Sequence, residues 1–281
     1  MWCDSHVHIV GPADRYRQVA TRTYRAGVAG VETLKSLGAR RGIGRFVVVQ
    51  PSFYGTDNSA TLDALDALKG NGRGVAVLDP ATASADTLAA FDRRGVRGLR
   101  LNLYSPVKGP GGSAPDKVFA ATADIARRVG WHVQVVAALP ILLSVADALA
   151  RAPAAVVIDH YGLYGDKRPD SEEGLRLLDL LRLPHVWMKV SAPYRHDRGP
   201  LNTKPDREWL AALLAAAPHR CVWGSDWPHP PAHDTHQGPA IETPYRALSY
   251  ETLVDDFLAA LPSPDLAERV MGGNAARLYG F

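Results

Sequence analysis

The sequence predicts a closed (β/α)8 barrel, and three observations predict it. Eight short apolar, β-branched runs recur along the 281 residues. Their starts lie 23 to 43 residues apart, enough chain for a helical crossover between parallel strands. The stretches between them carry helix caps and apolar stripes. An open doubly wound sheet is the competing arrangement. Against it, no G-x-G-x-x-G follows the first run, and no strand end carries a phosphate-cradling glycine loop.

The expected strands, in order, are 3–8 (CDSHVH), 46–50 (FVVVQ), 75–79 (VAVLD), 98–103 (GLRLNL), 132–137 (HVQVVA), 155–160 (AVVIDH), 186–191 (VWMKVS) and 221–226 (CVWGSD). Continuous apolar runs of this length suit strands buried on both faces of a parallel sheet. Helices are expected where caps precede apolar stripes. Asn58-Ser59 opens ATLDALDALKG, and residues 116–130 end with Arg127 and Arg128 before Gly130. Residues 141–150, 171–181 and 206–217 continue the series, and 250–261 and 265–279 close it. Residues 109–115, rich in Gly and Pro, read as one long loop. A barrel of ~250 residues folds as one unit, so residues 1–281 are expected to form a single domain.

Composition excludes several classes. Lys plus Arg is 32 and Asp plus Glu is 29, a net charge of +3 without long basic runs, which argues against a nucleic-acid partner. No stretch of about 18 apolar residues suggests a membrane span. The start, MWCDSHVHIV, lacks a basic leader and apolar run, so a cytoplasmic location is expected. Cys3 and Cys221 are the only cysteines, and both read as buried, reduced thiols on neighbouring strands.

Catalytic groups of such barrels project from the C-terminal strand ends, and polar residues gather there. Strand one ends in His6 and His8, strand two in Gln50 and Ser52. Strand four carries Arg100 and Asn102, and strand six ends in Asp159 and His160. Strand seven ends in Lys189 and Ser191, and strand eight in Asp226. His6-Val7-His8 puts two imidazoles on one strand face, suiting a divalent metal or a polarised carbonyl. The plain alternative is a set of satisfied polar residues within the barrel. Asp226, in WGSDWPHP, is the expected general base, a carboxylate in an apolar mouth between Trp223 and Trp227. His229 would bind substrate or orient Asp226. Arg100 and Arg195 are candidate anchors for a substrate carboxylate. Tyr24 lies in a long loop able to cover the mouth.

These motifs resemble the amidohydrolase superfamily, and more narrowly its branch of 2-pyrone-4,6-dicarboxylate lactonase and related lactonases. The likeness spans nearly the whole chain, from DSHVHIVGP through QPSFYGTDN, GVRGLRLNL, VVIDHYG and KVSAPYR to WGSDWPHP and GGNAARLYGF. It implies that His6, His8, His160 and Asp226 form the central constellation. In metal-using members such residues hold one divalent ion, often zinc. In the pyrone lactonase branch hydrolysis proceeds without one, the Asp deprotonating water while the histidines polarise the ester carbonyl. The resemblance assigns Arg100, Arg195 and Tyr24 to substrate carboxylates and places His229 beside the catalytic Asp.

Two departures bear on the substrate. The family's extra Arg after strand four is replaced by YSPVK, with Lys108 its only cation, and the strand-five Tyr is absent from HVQVVAAL. The expected substrate is therefore a carboxylate-bearing lactone of pyrone-dicarboxylate, muconolactone or sugar-acid type, with Ser52 among its contacts. No Lys ends strand four or five, so a carbamate-bridged metal pair is not expected. The expected cofactor is one divalent metal, zinc foremost, or none. The expected partners are that small molecule and, at most, further copies of the chain. A metal-dependent non-oxidative decarboxylase is the second reading, and a non-catalytic barrel with a damaged constellation the third.

Overall fold

The computed structural model describes residues 1–104, 114–196, 199–232 and 235–281. Eight parallel strands lie in sequence order: β1 (Trp2–Val7), β2 (Ile43–Val49), β3 (Gly72–Ala76), β4 (Val96–Asn102), β5 (His132–Val136), β6 (Val156–Ile158), β7 (Val186–Ser191) and β8 (Cys221–Gly224). The sheet closes where a parallel bridge joins Val7 to Trp227 and the His6 carbonyl accepts from the Asp226 N–H. This is a (β/α)8 barrel, not an open doubly wound sheet.

Strand positions follow the expectation closely except at β2 and β3, which each begin three residues early. At β3 the glycines explain the shift. A Cβ on Gly72 would meet Leu68, and one on Gly74 would meet Leu65 and Val96. Bare backbone thus lets helix Ser59–Leu68 lie directly on the strand. Helices Pro115–Val129, Glu172–Arg182, Arg207–Ala216 and Tyr250–Ala260 match their sequence signals. Ser171, Asp206 and Ser249 each cap the helix that follows with a side-chain oxygen. The expected helix at 141–150 is two short ones, Leu139–Ser144 and Ala146–Ala150. Helices Val31–Ala39 and Ala85–Arg93 had no clear sequence signal; the latter buries only Leu88. Most of the expected 109–115 loop, and Lys108, lie outside the described residues.

The barrel interior has an apolar floor. Cys3, Val47, Val75, Val157, Trp187 and Val222 pack with Tyr279 of the last helix, Asn274–Tyr279. Arg73 fastens that segment, donating to the carbonyls of Tyr279 and Gly280. Cys3 and Cys221 are buried and unpaired, and burial pushes both thiols up, Cys221 to about 12. Over the other end, Tyr24–Arg25 pairs with Gly238–Glu242, so a short ribbon ties the loop after β1 to the loop after β8. Among the described residues no helix is long and apolar enough to cross a membrane.

Candidate active site

The site forms where β1 and β8 approach each other. A Cβ on Gly224 would stand 2.6 Å from the Cβ of His6, so only glycine allows the two strands this close. Asp4 then clasps them. Its Oδ1 accepts from the N–H groups of His6 and Ser225, and its Oδ2 accepts from the Tyr250 hydroxyl. The acid of the D-x-H-x-H motif is therefore a buckle between strands, and burial raises its carboxyl to about 6.

Beyond the clasp, Asp226 sits at φ 60°, a left-handed conformation costly for a side chain with a Cβ. That conformation brings Oδ1 to 3.5 Å from His6 Nε2 and 3.3 Å from His8 Nε2. The other oxygen, Oδ2, is saturated. Arg195 donates to it from Nε at 2.8 Å and Nη2 at 2.7 Å, and the Tyr194 hydroxyl donates at 2.9 Å. Burial opposes the charge of Asp226, yet Arg195 and the surrounding imidazoles hold its carboxyl well below the usual range. The expected apolar setting between two tryptophans is not what the carboxylate meets. Trp223 packs instead on Tyr250 and Phe257.

His160 also has a left-handed backbone, at φ 52°. Its ring lies 4.7 Å from that of His6, and its Nδ1 shares a 2.9 Å hydrogen bond with Ser191 Oγ. Burial pushes both rings down, His6 to about 3, with Lys189 adding to the effect on His6. Both imidazoles are therefore neutral at ordinary pH.

Beneath His6 lies an ion pair to which the sequence reading gave no role. Lys189 and Asp159 have side chains 0% exposed, 3.5 Å apart. Gln134 holds both: its Oε1 accepts from Lys189 at 2.6 Å, and its Nε2 donates to Asp159 at 2.8 Å. Burial lowers Lys189 to about 8, with the Asp159 carboxylate opposing the fall. The sequence did hold a signal. A lysine inside the apolar run VWMKVS, and a glutamine inside HVQVV, are polar groups that only an interior partner can satisfy. Tyr194 and Tyr245 carried no comparable signal.

Above the constellation is a pocket walled by Tyr24, Phe53 and Tyr245, with Ser52, Arg100 and Arg195 among its polar lining. Arg100 donates Nη1 to the Gln50 carbonyl at 2.8 Å, and its Nε has no hydrogen-bond partner among the described residues. Burial lowers its affinity for a proton. Asp159 is paired with Lys189 and Asp226 with Arg195, and among the described residues no carboxylate lies within ion-pair distance of Arg100. Arg195 was expected to anchor substrate. It lines the pocket, but its shortest contacts are to Asp226. Gln50 turns away from the mouth, its amide bonding the Gly55 and Asp57 carbonyls. His229 does not line the pocket. It packs edge-on against Tyr194, and its N–H donates to the Asp226 carbonyl. Val136 lines the wall on β5.

The donors suit a divalent cation. His8 Nδ1 lies 2.8 Å from the Val49 carbonyl, so it donates there, which puts the ring's lone-pair position at Nε2. That position faces Asp226 Oδ1, and among the described residues neither this oxygen nor His6 Nε2 has a hydrogen-bond partner. The triads His6, His8, Asp226 and His6, Asp159, His160 each bring ligand atoms within 4.8 Å of one another.

The amidohydrolase family model matches residues 3–281. A 4-sulfomuconolactone hydrolase of Hydrogenophaga intermedia is 28% identical over 278 residues, covering 99% of this chain and 88% of the relative. A 2-pyrone-4,6-dicarboxylate hydrolase of Comamonas testosteroni is 30% identical over 287 residues, covering 98% and 89%. A Pseudomonas putida structure provisionally named a 2-pyrone-4,6-dicarboxylic acid hydrolase superposes with a TM-score of 0.80. It is 30% identical and covers 99% of this chain and 97% of its own.

Proposed function

Since the chain belongs to the amidohydrolase family, we propose that it opens a carboxylate-bearing lactone by hydrolysis. One observation carries the reading: among the described residues, a carboxylate oxygen lies unbonded between two imidazoles, below a pocket whose wall holds a guanidinium without a carboxylate partner. The two curated relatives are named for a sulfonated muconolactone and a pyrone dicarboxylate, both anionic lactones.

Asp226 Oδ1 is the general base. Its partner oxygen is occupied by Arg195 and Tyr194, so the water proton has one acceptor and one direction. The low proton affinity of the carboxyl keeps it ionised at neutral pH. It also makes it a weak base until substrate arrives. A substrate carboxylate seated at Arg100 and near Arg195 competes for the Arg195 guanidinium, loosens its grip on Oδ2 and raises the basicity of Asp226 when water must be activated. Neutral His6 and His160 face the ester carbonyl and, as N–H donors, stabilise the developing oxyanion, while His8, its Nε2 3.3 Å from Asp226 Oδ1, flanks the base. The acyl–oxygen bond then breaks, and the ring oxygen takes the proton held on Asp226. The products are a carboxylate and a hydroxyl group, with one proton released at neutral pH. A divalent ion, zinc by ligand type, would be held by His6, His8, His160 and Asp226 and would supply Lewis-acid polarisation of the carbonyl and acidify the water. Tyr24 and Ser52 complete the substrate wall. We place the enzyme in the cytoplasm, where its two thiols stay reduced.

The test is a panel of lactones with and without a carboxylate, followed by pH-indicator absorbance and carbon dioxide release. Proton release confined to the carboxylated lactones is the expected result. Carbon dioxide from aromatic carboxylates, without ring opening, would replace hydrolysis with decarboxylation.

A further inference from the structure

Two groups contend for one atom of His6. Its Nδ1 lies 3.4 Å from Lys189 Nζ and 3.3 Å from Asp159 Oδ1. Their demands are opposite. An ammonium only donates, so Lys189 requires a lone pair at Nδ1 and leaves the ring proton on Nε2. A carboxylate only accepts, so Asp159 requires the proton at Nδ1 and leaves a lone pair on Nε2. The consequence falls on the reaction side, where Nε2 stands 3.5 Å from Asp226 Oδ1. In the first arrangement His6 is a hydrogen-bond donor toward that oxygen or a substrate carbonyl. In the second it is a metal ligand.

The surroundings weigh the contest. Gln134 bonds the Asp159 Oδ2 atom and Lys189 together, fixing the ammonium under the ring. Asp159 already has that cation to neutralise it. His6 Nδ1 is in hydrogen-bond contact with Lys189 Nζ but not with Asp159, whose Oδ1, like Asp226 Oδ1, has no hydrogen-bond partner among the described residues; a proton on His6 Nε2 would give Asp226 Oδ1 its donor. We infer that Lys189 is a positioning residue that sets His6 in its Nε2–H form. It thereby tunes the His6–His8–Asp226 triad away from tight metal binding and toward direct hydrogen-bond catalysis. Asp159 is the counterweight that would release the opposite form. The inference is independent of which lactone the pocket takes.

The experiment reads tautomer and metal affinity, not turnover. Two-bond 1H–15N spectra of 15N-histidine-labelled, chelator-treated protein report which ring nitrogen carries the proton, with His6 assigned by its loss in His6→Asn. Co2+ titration followed by d–d absorbance reports affinity. The expected results are Nε2–H in the wild type, and Nδ1–H with roughly tenfold or greater tightening of Co2+ in Lys189→Met, the scale typical of changes behind a metal ligand. Lys189→Arg should retain Nε2–H. Should Lys189→Met not fold, the near-isosteric Asp159→Asn decides: it should keep Nε2–H and bind Co2+ more weakly than the wild type. A wild-type Nδ1–H form, or Co2+ affinity unmoved by Lys189→Met, or by Asp159→Asn where the first variant does not fold, overturns the assignment.

Discussion

The two ends of this barrel are built from the same eight strands and obey different rules. At the floor, apolar side chains close around Tyr279. At the mouth stand Asp159, Asp226, Lys189, Arg195 and three imidazoles, most of them buried. Six of the seven non-glycine residues with positive φ among the described residues follow β6, β7 or β8, including His160, Ala192, Asp226 and His229. Such conformations each cost on the order of 1–3 kcal/mol and persist only where the surroundings over-determine them. The contrast teaches that the site's strain is held in place by a close-packed base and by the Asp4 clasp. Stability and chemistry are therefore separable by mutation.

The sharpest way to break that contrast is at Asp226. Asp226→Asn should lower kcat by about 10^3-fold, within the range for loss of a general base, with the melting temperature within a few degrees of the wild type. Full activity in a steady-state assay would end the mechanism. At the opposite end, Tyr279→Ala should destabilise the fold by about 3 kcal/mol in urea titration, through the cavity left in the floor, with kcat per folded molecule unchanged. A variant that lost kcat but not stability would show that the two ends are coupled.

Arg100→Met probes the mouth without touching Asp226. Its KM for a carboxylated lactone should rise roughly tenfold or more, as for loss of a charge-assisted hydrogen bond, with kcat within about twofold. An unchanged KM would remove Arg100 from substrate binding. The smallest effect concerns the floor and pH. His132, whose ring stands edge-on 5.4 Å from that of Tyr279, is lowered by burial to about 3, from an ordinary value near 6.5. Between these values the unfolded chain binds a proton that the native state refuses. Stability therefore falls as pH drops below about 6.5, by roughly 0.7 kcal/mol from this residue between pH 7 and pH 6. In His132→Leu the difference between urea midpoints at pH 7 and pH 6 should shrink accordingly, while the pH profile of kcat stays as in the wild type.

The fold was largely legible because parallel strands buried on both faces must be continuous apolar runs, and their spacing must admit helices. The misplaced start of β3 shows the limit: glycines 72 and 74 carry no hydrophobic signal, and only the helix lying on them shows why they belong to the strand. Within the site, His6, His8, His160 and Asp226 were visible as polar groups at strand ends. The meaning of Arg195 was not, because its sequence neighbourhood does not disclose that Asp226 lies beside it.

Chain composition and period alone determined that this protein is a barrel with imidazoles and a carboxylate gathered at one rim. Those are matters of local pattern, since alternation and run length dictate which residues share a face and an end. Tertiary structure alone decided which oxygen of Asp226 is free, which guanidinium lacks a carboxylate, and that Lys189 sits under His6. Those depend on distances of about 3 Å between residues up to 220 positions apart, for example Asp226 against His6, and no local pattern encodes a distance of that kind.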